Sequence, residues 1–542
     1  MNELTPEELR KLNEVVQKVG GSRKVEAAMV YGSRVSGYSR PDSDYDIMVV
    51  VEKIRPRAKY VYGQFEDMYY SALLVEKKAF ENDCAKATLG EFVSGRLLNR
   101  HVPILGEAFL KEHEAVLKKR VIVEGVQELL ARYGPFANHL LLSPAYFLFN
   151  KLKKRAFIYP PVVYSYVKTY SSPQSVSNIQ SALPSFSEQM EVLCEEGVLV
   201  HDRHGYRISE EALKRLKVFP ISPTVRLATL GVRQYVTHGL AGNVGAEVAI
   251  KELLSKIGRA RSKTTVPEEL EEPRRLLSLP EGKLVFGGDW VEKAVEELGI
   301  EQPYSRRSNP LGDFFSTADL HTIVSDGKET RFVSKHYQDI WSLKWMVASV
   351  VALSARTFEA RPLYRMSNEY EGLTTLKGLG VRTPRVLVVA LDEKVMVLEH
   401  LSGVPLEELI KKKKGDDSLV RQACYQFGLT LGRLHQRGVT MGDTKPTNVL
   451  CTGPEISIID LEQYQREGDY AWDVAEFVYY CATLTNEDMM MKIVEAFASG
   501  YTESGKEETL RKASAESYII PFQLLVQPTV LVRVKEALKR KG

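Results

Sequence analysis

Carboxylates, an asparagine and two lysines recur in the second half of this chain at spacings that suit phosphoryl transfer. Moving a γ-phosphoryl group off a nucleotide needs a carboxylate to orient the attacking hydroxyl, oxygen ligands for magnesium, and a cation on the nucleotide phosphates. The stretch from Gly438 to Leu450 offers the first two. Asp443 is the candidate catalytic carboxylate with Lys445 beside it, and Asn448, five residues after Asp443, is a candidate metal ligand. The hydrophobic run Ile456 to Ile459 then delivers Asp460, the second candidate ligand. Upstream, Lys335 lies on an apolar strand pattern, where its charge is costly unless it meets phosphates and a carboxylate. Glu369, in a helical stretch, is the carboxylate expected to meet it. Val395 to Leu401 reads as a strand and hinge, which makes Glu399 and Leu401 the candidate adenine contacts. Each residue alone has a structural reading, and the ordered set is what points to an ATP site.

A second constellation lies near the amino terminus. Tyr31-Gly32-Ser33 followed by Asp44-Tyr45-Asp46 fits a minimal nucleotidyltransferase pattern. Residues two apart on a strand face the same way, so Asp44 and Asp46 are expected to address one magnesium ion, while a turn at Gly32 and Ser33 offers backbone donors to a triphosphate. Enzymes of this type use a third carboxylate on a following strand. The candidates are Asp67 and Glu76, at the two ends of a segment led by tyrosines and serine.

These groups need elements to hold them. At 542 residues the chain exceeds one hydrophobic core, and roughly 100–200 residues per domain predicts several units. The pattern predicts a multidomain α/β and α+β protein. Residues 1–108 read as a nucleotidyltransferase-like domain and 109–218 as a winged-helix-like domain with its wing at His204-Gly205. Residues 219–282 read as a linker or small adaptor with a boundary in the charged stretch from Arg259 to Arg275, and 283–542 as a bilobal protein-kinase-like domain. The presumptive recognition helix around Ser187 to Glu196 is acidic, which is wrong for a phosphate-facing element. Lys411 to Lys414 reads as a solvated loop.

Composition narrows the partners. Hydrophobic residues make up 44% and charged residues 26%, with a net charge of +3, so a nucleic-acid surface would have to be a local patch. Five scattered cysteines lack metal-ligand spacing, read as packing residues, and predict no disulfide-linked partner. No apolar run reaches a membrane span and the first residues form a charged amphipathic pattern, so a cytoplasmic protein is expected.

From about Lys283 onward the Gly442-Asp443 catalytic loop and the Ile459-Asp460 metal motif resemble the atypical kinases of the RIO family and the kinase subunit of the KEOPS tRNA-modification complex. That resemblance implies a bilobal kinase fold using ATP and Mg2+. Two departures stand out: the segment Gly312 to Leu320 lacks a G-x-G-x-x-G phosphate loop, and Glu462 stands where a glycine is common. Only twelve residues separate Asp460 from Asp473 and no A-P-E sequence follows, leaving no room for a protein-docking platform. Asp473 is expected to brace the catalytic loop. The order of the domains resembles the archaeal RNA kinase family ArkI, which implies tRNA as partner and the ribose 2′-hydroxyl of an internal variable-loop uridine as acceptor. Candidate phosphate contacts are Lys151, Lys153, Lys154 and Arg155, Arg203, Arg259 to Lys263, and Arg533 to Lys541. A protein-serine kinase of RIO or KEOPS type, and a nucleotidyltransferase with a regulatory kinase half, are the alternatives.

Overall fold

The computed structural model describes residues 4–216, 223–242, 266–311, 317–338, 359–412 and 417–541. They gather into two compact units. One comprises Met1–Arg132 and Leu140–Ser278, the other Tyr133–His139 and Leu279–Gly542.

The first unit opens on helix Pro6–Gly20, started by a capping box in which Thr5 and Glu8 exchange hydrogen bonds. Its apolar positions Leu12, Val15, Val16 and Val19 recur at helical spacing and are buried against one face of a five-stranded sheet. The strands are β1 (Val25–Tyr31), β2 (Tyr45–Val51), β3 (Ala58–Phe65), β4 (Met68–Glu76) and β5 (Val102–Leu105), in the order β3-β4-β2-β1-β5. Strands β2 and β4 are parallel and the other neighbours antiparallel. Alternation sends Tyr45, Ile47, Val49 and Val51 into that core and leaves Asp46 on the opposite face, level with Ser71 of β4.

Helices Glu107–Tyr133, Pro144–Ile158, Val163–Ser171, Ser175–Ala182 and Pro184–Glu195 follow, then the hairpin β6 (Leu199–Asp202) and β7 (Gly205–Ile208), turning at the expected residues. The basic run in Pro144–Ile158 is turned inward, against the expectation of a phosphate-facing surface. Glu91 is almost fully buried and gathers Lys151, Arg120 and Arg155, while Lys154 pairs with Glu128. A buried carboxylate keeps its charge only with such partners, so these cations are committed to the core. Lys153 is half exposed near Glu272, and Arg203 is exposed in the β6–β7 turn.

The 219–282 segment is more ordered than a linker where it is described. Pro223–Gly242 is a 20-residue helix, and Glu268–Glu271 and Pro273–Leu276 are short helical turns that pack on helix Pro144–Ile158. The boundary expected between Arg259 and Arg275 therefore falls, for its described part, inside the first unit. Arg259 to Lys263 lie outside the described residues.

The second unit carries a six-stranded sheet ordered β8 (Lys283–Val285), β12 (Val386–Ala390), β13 (Val395–Glu399), β11 (Lys328–His336), β10 (Ala318–Ser325), β9 (Ser305–Pro310). Helix Trp290–Glu297 covers one face through Val291, Ala294 and Val295. After the short strand β14 (Val404–Pro405), a mostly helical subdomain builds on Asp417–Gln436 packed along Glu487–Thr502. Gly428, Gly432 and Gly500 permit that contact, since a Cβ on any of them would meet a backbone oxygen of the facing helix at 2.1–2.6 Å. Four of the five cysteines are buried, Cys194 is partly exposed, and all are free. No helix among the described residues is long and apolar enough to cross a membrane.

Candidate active site

In the second unit, strand β11 positions Lys335, and helix Pro362–Gly378 positions Glu369, whose side chain is fully buried. The Lys335 Nζ donates to Glu369 Oε1 at 2.7 Å and to Asp460 Oδ1 at 3.0 Å. Tyr337, just past the end of the strand, donates to the other Glu369 oxygen at 2.5 Å. Burial works against the Lys335 charge, but Asp460, Glu369 and Glu462 around it hold its pKa well above the ordinary lysine value. Lys335 is a cation at any physiological pH.

Two short loops supply the rest. The catalytic loop leaves β15 (Val439–Thr440), turns at Gly442 with φ +76°, and passes Asp443 before the helical turn Pro446–Asn448 and strand β16 (Val449–Thr452). The metal loop follows β17 (Glu455–Ile458), which pairs antiparallel with β16. The Ile459 N–H donates to the Asn448 carbonyl at 3.0 Å, tying the two loops together directly before Asp460. Asp460 adopts φ +61°, a left-handed conformation costing a non-glycine residue about 1 kcal/mol or more. This left-handed turn aims the Asp460 carboxylate at the Lys335 ammonium. Burial raises the Asp460 carboxyl, but Lys335, with Lys445 and Arg365, outweighs it and holds the group below its usual range.

Asp443 meets Lys445, whose Nζ donates to Oδ2 at 3.1 Å and lies 3.0 Å from Oδ1. Oδ1 is buried and faces that ammonium, while the side chain as a whole stays one-fifth exposed, so an incoming hydroxyl can reach the carboxylate at its exposed part. The Asn448 Nδ2 donates to the Asp443 carbonyl at 3.1 Å. That bond uses the amide nitrogen, so the amide oxygen is the Asn448 atom that could hold a metal. Asp473, fully buried, accepts from the N–H groups of Met441 at 2.8 Å and Gly442 at 2.9 Å and contacts His435 Nε2 at 3.2 Å.

Three contributors stand outside the candidate set read from the sequence. Glu462 is bonded by Arg365 Nε at 2.6 Å and stands 3.9 Å from Lys335, so it fixes helix Pro362–Gly378 to the metal loop. With Glu369 and Asp460 it forms a carboxylate group whose ligand oxygens lie within 4.8 Å of one another. Burial first, and Asp460 second, push its pKa up to about 7. Glu476 accepts from Thr444 N at 2.7 Å, and burial and the Asp443 charge push it up to about 8. Its position three residues after Asp473 on one helix is a signal that periodicity could have shown. Tyr337 is marked by its i+2 spacing from Lys335.

The hinge candidates lie at the end of β13. Glu399 is exposed, its N–H donating to the Arg385 carbonyl at 2.9 Å and a carboxylate oxygen accepting from Arg385 N at 3.3 Å, and Leu401 just beyond is partly buried. The expected nucleotide-covering loop falls mostly at residues 312–316, outside the described residues. Of the distal basic candidates, Arg533 pairs with Glu487 and Lys535 with Glu516.

In the first unit Asp44 is exposed one residue ahead of β2, and Asp46 is half-buried on it. Gly32, at φ +81°, sits so close to Asp46 that a Cβ would lie 2.3 Å from its Oδ2, and Ser33 starts the short helix Ser33–Ser36. The third carboxylate is not where it was sought. Asp67 lies in the β3–β4 turn, bonded by Lys11 at 2.6 Å, and Glu76 is at the far end of β4, while the position level with Asp46 is Ser71.

Relatives bearing kinase names match this chain. The KEOPS complex subunit Bud32 of Pyrococcus abyssi is 29% identical over 96 residues, 18% of this chain and 43% of that protein. A probable serine/threonine-protein kinase BUD32 homolog of Archaeoglobus fulgidus is 25% identical over 154 residues, 28% of this chain and 73% of that protein. A probable bifunctional tRNA threonylcarbamoyladenosine biosynthesis protein of Methanothermobacter thermautotrophicus is 30% identical over 96 residues, 18% of this chain and 16% of that protein. The chain thus spans less than half the length of two of these three. Residues 11–78 match the family described as polymerase beta, nucleotidyltransferase. Among solved structures, WaaP in complex with acyl carrier protein covers 43% of this chain and 88% of that chain at 13% identity and a TM-score of 0.26, too slight a likeness to bear on fold.

Proposed function

We propose that this protein is an RNA kinase that moves the γ-phosphate of ATP to the ribose 2′-hydroxyl of an internal, variable-loop uridine of tRNA. In this reading Lys335, steadied by Glu369, holds the nucleotide phosphates, and Glu399 and Leu401 border the adenine. Asn448 and Asp460 are the oxygen donors for Mg2+, which when bound neutralises charge on the transferring phosphates. Asp443 accepts the hydroxyl hydrogen bond through its partly exposed carboxylate and orients the attacking oxygen. The new bond forms between that oxygen and the γ-phosphorus as the bond to the β,γ-bridging oxygen breaks. ADP leaves, and the hydroxyl proton passes to Asp443 and then to water. Lys445 offsets charge developing on the transferred group.

The observation that carries the acceptor class is the segment after Asp460. Residues 461–469 are consumed by a tight turn and the two-residue strand β18 (Gln465–Arg466), which pairs with β15, and the Glu467 N–H donates to the Gly438 carbonyl. Nothing extended is left there on which a polypeptide could lie, whereas an RNA hydroxyl needs only an open approach to Asp443. Incubation of wild type and Asp443→Ala with total tRNA and γ-labelled ATP, followed by nucleoside mapping, tests the reading. Label on a 2′-phosphorylated uridine, absent with the variant, supports it.

The kinase names of the relatives favour a second reading, a protein-serine kinase. Label confined to polypeptide, with none in deproteinised tRNA, would establish that instead. Label from α-labelled ATP, lost in Asp44→Ala, would point to nucleotidyl transfer by the first unit.

A further inference from the structure

Helix Asp417–Gln436 carries a polar stripe away from the catalytic candidates. Gln422, Gln426, Thr430, Arg433 and Arg437 recur at intervals of four and three, a stripe down one side that continues one residue past the helix end. They line a cavity of about 700 Å³ whose facing wall is the 379–382 segment and the β16–β17 turn. At 1.5 Å per residue the stripe runs about 22 Å. None of its residues belongs to the catalytic set.

The lining is cationic and rich in hydrogen-bonding groups. It holds three guanidiniums, of Arg382, Arg433 and Arg437, against one carboxylate, Glu455, which stands 3.4 Å from Arg382. Arg433 and Arg437 are exposed and form no ion pair among the described residues. A surface arginine needs no ligand, but two uncommitted guanidiniums in one groove form a planar, bidentate site for oxyanions. The glutamine amides and Thr430 can both donate and accept, as a chain of phosphates alternating with ribose hydroxyls requires. A groove of that length spans several successive phosphates of one strand.

We propose that this groove binds the sugar-phosphate backbone of the RNA substrate at a place separate from the reacting hydroxyl. The proposal rests on the RNA-kinase reading above for the identity of the RNA. An acidic polypeptide is the competing occupant. It would use the arginines but leave much of the amide ladder without regularly spaced anionic partners.

The test uses the full chain carrying Asp443→Asn, so that binding is read without turnover. Anisotropy of fluorescein-labelled total tRNA is followed at about 50 to 200 mM salt, with and without Arg433→Gln and Arg437→Gln together. The double variant is expected to weaken binding at least tenfold and to flatten the dependence of log Kd on log salt by between one and two. Arg433→Lys with Arg437→Lys should recover the salt slope but not the full affinity, because charge returns without the fork. In an otherwise wild-type chain the Gln pair should raise KM for tRNA and leave kcat unchanged. An unchanged Kd and slope, or displacement of tRNA by polyglutamate at equal charge concentration, overturns the proposal. If wild type puts no label into tRNA while the Gln pair still abolishes tRNA binding, the RNA-kinase reading fails and the groove stands. If label enters tRNA and neither Kd nor KM moves, the groove fails and the reading stands. Both side chains are exposed, so a melting temperature equal to that of the parent chain confirms the fold of each variant.

Discussion

Replacing Asp473 by asparagine keeps the shape of the side chain and removes its charge, which isolates what the carboxylate does. Its two oxygens accept from consecutive backbone N–H groups, Met441 at 2.8 Å and Gly442 at 2.9 Å, and His435 adds a contact at 3.2 Å, all in a fully buried setting. A hydrogen bond to a charged acceptor contributes about 1.5–3 kcal/mol, and a buried donor left unsatisfied costs about 1–3 kcal/mol. In the variant the carboxamide oxygen still serves one N–H through a weaker neutral bond, while its NH2 opposes the other, donor against donor. The expected loss is about 4 kcal/mol. At about 3 °C per kcal/mol for a unit of this size, the second unit should melt about 12 °C lower. Calorimetry of the full chain measures the shift, and hydrogen exchange at Met441 and Gly442 measures its location, since those two amides should lose protection first. Catalysis should fall further than stability, because the same two amides set the backbone that aims Asp443, and a displacement of about 1 Å there costs about a hundredfold. A variant melting within 2 °C of wild type with both amides still protected would refute the bracing role.

Removing either member of the buried Arg365–Glu462 pair, by Arg365→Met or Glu462→Gln, should destabilise the second unit by about 3–5 kcal/mol, and the double variant by less than the sum, as read by denaturant titration. Glu476, with its pKa pushed up to about 8, is protonated in the fold at pH values where the unfolded chain has already released that proton. Its stabilising effect is complete below about pH 4.5 and is lost as pH rises through about 8. Glu476→Gln keeps an acceptor for the Thr444 N–H, so its melting temperature should gain on wild type progressively across that window and level off above it. Gly32→Ala places a methyl group 2.3 Å from Asp46 Oδ2 at a φ of +81°, so it should lower the stability of the first unit by about 1–3 kcal/mol while leaving the melting of the second unchanged in calorimetry.

Much of the candidate site could be read along the chain because its signals are local. Lys335 ends an apolar strand, Asp460 ends another, and Asp443 and Asn448 belong to one loop, so residue type and short spacing carry the information. Gly32 was legible for a similar reason, as a turn directly ahead of two alternating carboxylates. Partners distant in sequence were not legible. Arg365 and Glu462 are 97 residues apart and meet at 2.6 Å only because helix Pro362–Gly378 packs beside the metal loop.

The basic run from Lys151 to Arg155 shows the same boundary from the other side. Its sequence suggests a phosphate-facing surface, yet the fold turns Lys151 and Arg155 onto the buried Glu91. A charge pattern records which side chains can attract an anion, but not which anion reaches them first. Sequence alone determined the identities and order of the chemical groups, since those follow from covalent spacing and strand or helix periodicity. Which charges neutralise one another inside, and which remain available to a substrate, was decided only when burial made an unpaired charge too costly to keep.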